Sequence, residues 1–207
     1  MKSILTILFL FILTNLVTAQ ENEAELIKKS FDSYQAFLFN NKGEEAANLV
    51  DSHTIKYYDA IIELVKNADS LKVGSLPLLD KIMVLIVRQR VSKENIINFD
   101  GKALFIYAVN NGMIDKQSVG GFTIGDINVD TNLAKAQVIF EGVKSPYFLN
   151  FYKESGQWKY DLTSSFPIGL PAIEKLTNEI GERGLLNLIL SYGNGKNANQ
   201  NVWMPVR

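Results

Sequence analysis

The chain has 207 residues, with 21 Lys and Arg against 22 Asp and Glu, one His and no Cys. A formal charge of −1 provides no electrostatic footprint for nucleic acid or an anionic lipid surface. Lacking Cys and carrying one His, the chain has no disulfide framework, no Cys nucleophile and no zinc site of the usual Cys/His kinds.

In chain order, Lys2 precedes an apolar run from Ile4 to Val17, interrupted only by Thr6, Thr14 and Asn15. The run is shorter than the ~20 residues a membrane span needs. Residues 1–19 therefore read as a secretory signal peptide ending in Val17-Thr18-Ala19, with Gln20 the first mature residue. Cleavage removes Lys2 and no acid, taking the formal charge to −2. The expectation is an exported protein, periplasmic or extracellular. It keeps no membrane span after cleavage, and no cysteine is present to make it a lipoprotein. Residues 20–192 are expected to form one domain, and 193–207 a flexible tail after Gly193-Asn194-Gly195.

From Glu23 to Asn40, Leu26, Ile27, Phe31, Tyr34, Phe37 and Leu38 recur at helical spacing and form one apolar stripe. Asn41-Lys42-Gly43 ends that helix. A short helix follows from Glu44 to Val50, then a turn at Asp51–Thr54, then a helix from Lys56 to Ala68. Its apolar face is Tyr57, Tyr58, Ile61, Ile62 and Val65. Leu76 to Val91 is apolar around most of its circumference, with Pro77 suited to its first turn. That helix is expected either at the centre of the core or as one wall of a pocket.

Leu104 to Val109 is an unbroken apolar run, read here as a strand covered on both faces. A further strand starts near Phe122. There the inward parity slips between Phe122/Ile124 and Ile127/Val129, which places a β-bulge at Gly125-Asp126. Leu133 to Glu141 presents Ala134, Ala136, Val138 and Phe140 on one face. Phe148 to Leu162 then forms an aromatic hairpin around Ser155-Gly156, with Trp158, Tyr160 and Leu162 inward. Helical pieces are expected at about Leu170–Glu182 and Leu185–Ser191.

Helices first, then an antiparallel sheet closing with Lys153-Glu154-Ser155-Gly156-Gln157-Trp158-Lys159-Tyr160-Asp161-Leu162, resembles the nuclear transport factor two-like superfamily. The resemblance covers about Glu23 to Leu162. It implies an α+β cone in which the N-terminal helices pack into a bent antiparallel sheet, here with a C-terminal helical extension. The superfamily includes ketosteroid isomerase-like and polyketide-cyclase-like enzymes, transport factors and exported proteins. Its isomerase-like members carry an acidic base just past the second helix and a pair of oxyanion donors. Between positions 51 and 59 this chain offers only Asp51 and Asp59, neither at the base position, and Tyr34 alone falls near a donor tyrosine. The resemblance therefore implies no inherited catalytic set.

The residues offer two main functional readings. In the first, a non-enzymatic protein binds a small apolar molecule or an envelope protein, with Tyr57, Tyr58, Met83, Ile86, Phe105 and Tyr107 as pocket candidates. In the second, an acid–base enzyme uses His53 or Asp59 as base and a tyrosine such as Tyr34 as electrophile. A third reading is a homodimer formed through the sheet. No cofactor, metal or nucleic-acid partner is expected. Asp126, Asn128 and Asp130 lack the loop spacing of a calcium site, and Gly120-Gly121 precedes a strand where a phosphate loop would open a helix.

Overall fold

Helix α1 covers residues 22–39 and buries the stripe of Ile27, Phe31, Tyr34 and Leu38. The computed structural model describes residues 22–114, 121–192 and 201–206, so the expected leader lies outside the described residues. Helices α2 (Gly43–Ala47), α3 (Ser52–Asn67), α4 (Ser70–Gly74), α5 (Leu78–Arg90), α6 (Lys93–Asn98) and α7 (Gly101–Asn110) follow. Four antiparallel strands come next in simple sequence order: β1 (Thr123–Asp130), β2 (Leu133–Phe140), β3 (Val143–Glu154) and β4 (Gln157–Asp161). A 3-10 turn at Leu162–Ser165 leads into the long helix α8 (Phe166–Ser191). The protein is α+β, and no helix among the described residues is long and apolar enough to cross a membrane.

Side-chain caps set several helix starts. Asp51 accepts from the Thr54 N–H, Asp69 from Lys72, Ser92 from Asn95 and Asp100 from Ala103. In β1 the register slips between Ile124 and Ile127, where the parity change placed a bulge. A second irregularity lies in the β2–β3 ladder between Gln137 and Ile139. Such irregularities bend and twist the strands that carry them.

The segment from Leu104 to Val109, read above as a strand, is helical. Asp100 caps it, and Leu104, Phe105, Ala108 and Val109 form its buried face, a helical spacing hidden inside an unbroken apolar run. Gly101 lets α7 lie hard against α3, because a β-carbon there would meet the backbone of Asp59 and Ile55. Gly43 allows the same approach between α2 and α7, and its N–H donates to Asn110 Oδ1 at 2.6 Å.

Helix α1 is seated on the sheet. The Phe31 ring lies 5.4 Å from Tyr160 and 6.0 Å from both Phe122 and Phe151, while Ser30 donates to the Trp158 carbonyl at 2.8 Å. Helix α5 adds Ile82, Val84, Leu85 and Val87 to the buried core. It packs on α3 and α8 and faces the sheet across a gap. Val50 makes one parallel bridge to Tyr160, tying the lead-in of α3 to β4.

Arg88 on α5 is fully buried. Its guanidinium donates to the carbonyls of Val65 at 3.0 Å, Leu64 at 3.0 Å, Ala68 at 2.6 Å and Val202 at 3.1 Å. The first three lie at the C-terminal end of α3, where helical carbonyls lack intrahelical donors. The fourth belongs to the tail. The tail was expected to be loose, but 201–206 dock on the body: Val206 is buried, and its N–H donates to the Lys66 carbonyl at 3.1 Å. Residues 193–200 lie outside the described residues.

Arg88→Met leaves these carbonyls without their donor and should lower the unfolding free energy by about 3 kcal/mol. Denaturant midpoints measure this. Arg88→Lys, a single point donor, should recover only part, and an unchanged midpoint for the Met variant would contradict the assigned role.

Glu23 makes a second tie, accepting from Lys153 Nζ at 2.8 and 2.9 Å and from Trp158 Nε1. The hydrogen bond from Lys153, then that from Trp158, holds its carboxyl below the usual range. A folded-state value below the unfolded one gives stabilisation that is present above ~4.3 and lost as pH falls through the folded value. The stability gap between the native chain and Glu23→Gln should be full at neutral pH and close in acid. A gap that widens on acidification would reverse that sign.

Candidate functional site

A cavity of about 480 Å³ occupies the gap between α5, the sheet and the start of α8. Helix α5 contributes Leu79, Met83, Ile86 and Val87, while its Arg88 turns toward α3. The sheet side supplies Phe122, Phe140 and Tyr160. The first two turns of α8 supply Phe166, Ile168, Leu170 and Ile173. Tyr58 of α3, Leu104 and Ala108 of α7, and Met113 and Ile114 just after α7 complete most of the lining. No Asp, Glu, Lys, Arg or His is among the described lining residues.

The polar groups of the lining sit on few residues. Tyr58 and Tyr160 bring hydroxyls, and Ser165 lines the same space while donating to the Leu162 carbonyl at 2.7 Å. Tyr34 stands behind them, its ring 5.2 Å from that of Tyr160, and its buried hydroxyl has no partner among the described residues. Burial pushes the phenols of Tyr34, Tyr58 and Tyr160 far up, and neighbouring Tyr160 and Tyr58 add to the shift at Tyr34. All three therefore remain neutral hydroxyls through the physiological range.

Of the six pocket candidates, Tyr58, Met83 and Ile86 line the cavity. Tyr57 instead donates to Asp80 Oδ1 at 2.9 Å and packs on Phe166, with burial first and Asp80 second raising its pKa. Phe105 is buried edge-on against Tyr58, and Tyr107 packs on Phe99. Both sit elsewhere because α7 is a helix, whose faces differ from those of the strand expected there.

The acid–base candidates do not meet at the cavity. The His53 side chain is 55% exposed, its Nδ1 is 2.6 Å from Asp51 Oδ2, and its ring stacks on Tyr152. Asp59 is exposed and accepts from the Gly101 N–H at 2.6 Å, which makes it a joint between α3 and α7. Among the described residues no group of three or more His, Cys, Asp or Glu side chains is placed to hold a metal ion.

The sequence reading missed the α8 wall. Its helix was started at Leu170, whereas Pro167 stands in the first turn, where its missing N–H costs nothing. Phe166, Ile168, Leu170 and Ile173 are the apolar signal that an earlier start would have exposed.

Because the four phenols of Tyr34, Tyr57, Tyr58 and Tyr160 are all raised by burial, none should ionise ahead of alkaline unfolding. A raised folded value adds stability that is intact below ~10 and is lost as pH climbs toward it. Phenolate absorbance of Tyr58→Phe should therefore follow the native curve up to the alkaline transition. A lost titration step below that transition would show Tyr58 open to bulk water. No protein-family model matches this chain, and no curated protein or solved structure matches it significantly.

Proposed function

We propose that this chain is an exported nuclear transport factor two-like protein that holds a small apolar ligand between α5, α8 and the sheet. The observation that carries the reading is the cavity itself, about 480 Å³, with no charged side chain among its described lining residues. Ligand sites typically run roughly 300–1,000 Å³ and are mostly apolar, with few polar groups. The order of helices, antiparallel sheet and closing hairpin is in keeping with the resemblance. Part of the cavity wall comes from α8, in the extension beyond the resembling segment, so the site is this chain's own variation.

The acid–base reading has no such support, since His53 and Asp59 lie on wet surfaces outside the cavity lining. An envelope protein partner and a sheet-to-sheet dimer likewise have no comparable feature among the described residues.

A panel of lipophilic compounds, added to the mature protein, tests the proposal. A ligand at a hundredfold excess over its Kd stabilises by about 2.7 kcal/mol, which moves Tm by roughly 5–10 °C in a domain of this size. Gly169 lines the cavity, and a β-carbon there meets no atom within 4 Å. Gly169→Leu should therefore fold at least as well as the native chain, since it relieves a helical glycine. It should also shrink the ligand-induced shift. No compound shifting Tm, or shifts unchanged in both Gly169→Leu and Ile86→Trp, would contradict binding at this place.

A further inference from the structure

Resting on the reading of the cavity as a ligand site, we propose that its occupant is electrically neutral. It is an apolar chain or ring system bearing one uncharged oxygen head group, which meets the corner formed by Tyr58, Tyr160 and Ser165.

The absence of a charged side chain among the described lining residues carries the first half. An ionised carboxylate or ammonium entering this space would leave water without meeting an opposite charge, and the cost of that is several times the cost for a hydroxyl. The buried or bridged charges among the described residues lie elsewhere. Arg88 is spent on the carbonyls of Leu64, Val65, Ala68 and Val202. Lys81 reaches Glu182 at 2.5 Å, and Lys153 reaches Glu23. None of the five lines the cavity.

The hydroxyl corner decides the second half. Tyr160 and Ser165 line the cavity from either side of the turn from β4 into α8, and Tyr58 lines it from α3. Behind them the Tyr34 hydroxyl is buried without a partner among the described residues. Tyr34 itself is not in the lining, so the capacity a ligand meets is that of the Tyr58, Tyr160 and Ser165 hydroxyls. Each hydroxyl both donates and accepts, so either an alcohol or a neutral carbonyl head fits. The remaining lining is aliphatic or phenyl. Met83 and Met113 give it side chains that adapt to a ligand's outline, so selectivity rests on the head group more than on the shape of the body.

Calorimetric titration of the mature protein with octane, decanol, decanoate and decylammonium at neutral pH tests this. Decanol should bind at least tenfold tighter than either ion. Tyr160→Phe should weaken decanol by about tenfold while leaving octane unchanged. Tyr58→Phe serves as the second variant should Tyr160→Phe fold poorly, with the same direction expected. Decanoate binding as tightly as decanol, or decanol unaffected in both variants, would overturn the neutral-ligand proposal and leave the cavity reading standing. Failure of both octane and decanol to bind would bring down the two together.

Discussion

Phe31 meets three sheet aromatics at once, and the rest of the arrangement follows from that contact. Its ring is edge-on to Phe151 and Tyr160, with interplanar angles of 84° and 82°, and closer to parallel with Phe122 at 24°. Each such pair adds about 0.5–1.5 kcal/mol beyond area burial, and edge-on geometry restricts how α1 can sit. Ala134, opposite Phe151 in the β2–β3 ladder, keeps that part of the sheet low enough for a helix carrying a phenylalanine. With α1 fixed there, Phe122 and Tyr160 take part in both the packed core and the open space beyond it.

Polar ties hold the walls of that space from outside. Arg88 collects the end of α3 and the tail, Lys81 pairs with Glu182 of α8, and Tyr57 donates to Asp80 of α5. Each joins two segments of chain without placing a charge in the cavity. Gly101 and Gly43 draw α7 against α3 and α2, so Leu104 and Ala108 reach the cavity while Phe105 supports Tyr58 from the side. Helix α8 breaks at Gly181, whose φ of 76° is left-handed, so the turns that wall the cavity are separated from the half that buries Leu185 and Leu186.

Much of this was legible before any coordinates. The stripe from Ile27 to Leu38, the aromatic hairpin and the bulge near Gly125 follow from periodicity and parity, while for α5 periodicity left core centre and pocket wall both open. Two features resisted for physical reasons. In Leu104–Val109 every residue is apolar, so strand and helix periods fit equally well, and only the cap at Asp100 and the close approach at Gly101 separate them. At the site, Tyr57 and Tyr58 are adjacent in sequence, yet a 100° turn of helix sends one to Asp80 and the other to the cavity. His53 drew notice as the lone imidazole, and its place on an exposed first turn beside Asp51 could not be read from composition.

The central claim is that an accessible apolar space separates α5 and α8 from the sheet. Xenon enters apolar cavities of this kind without needing a polar contact. Methionine methyl resonances of the ¹³C-labelled mature protein, followed under xenon pressure, test the claim most directly. Met83 and Met113, which line the space, should shift with a saturating dependence, while the exposed Met204 should not. If Met83 and Met113 stay still, or all three drift alike and without saturation, the space is not there to be filled.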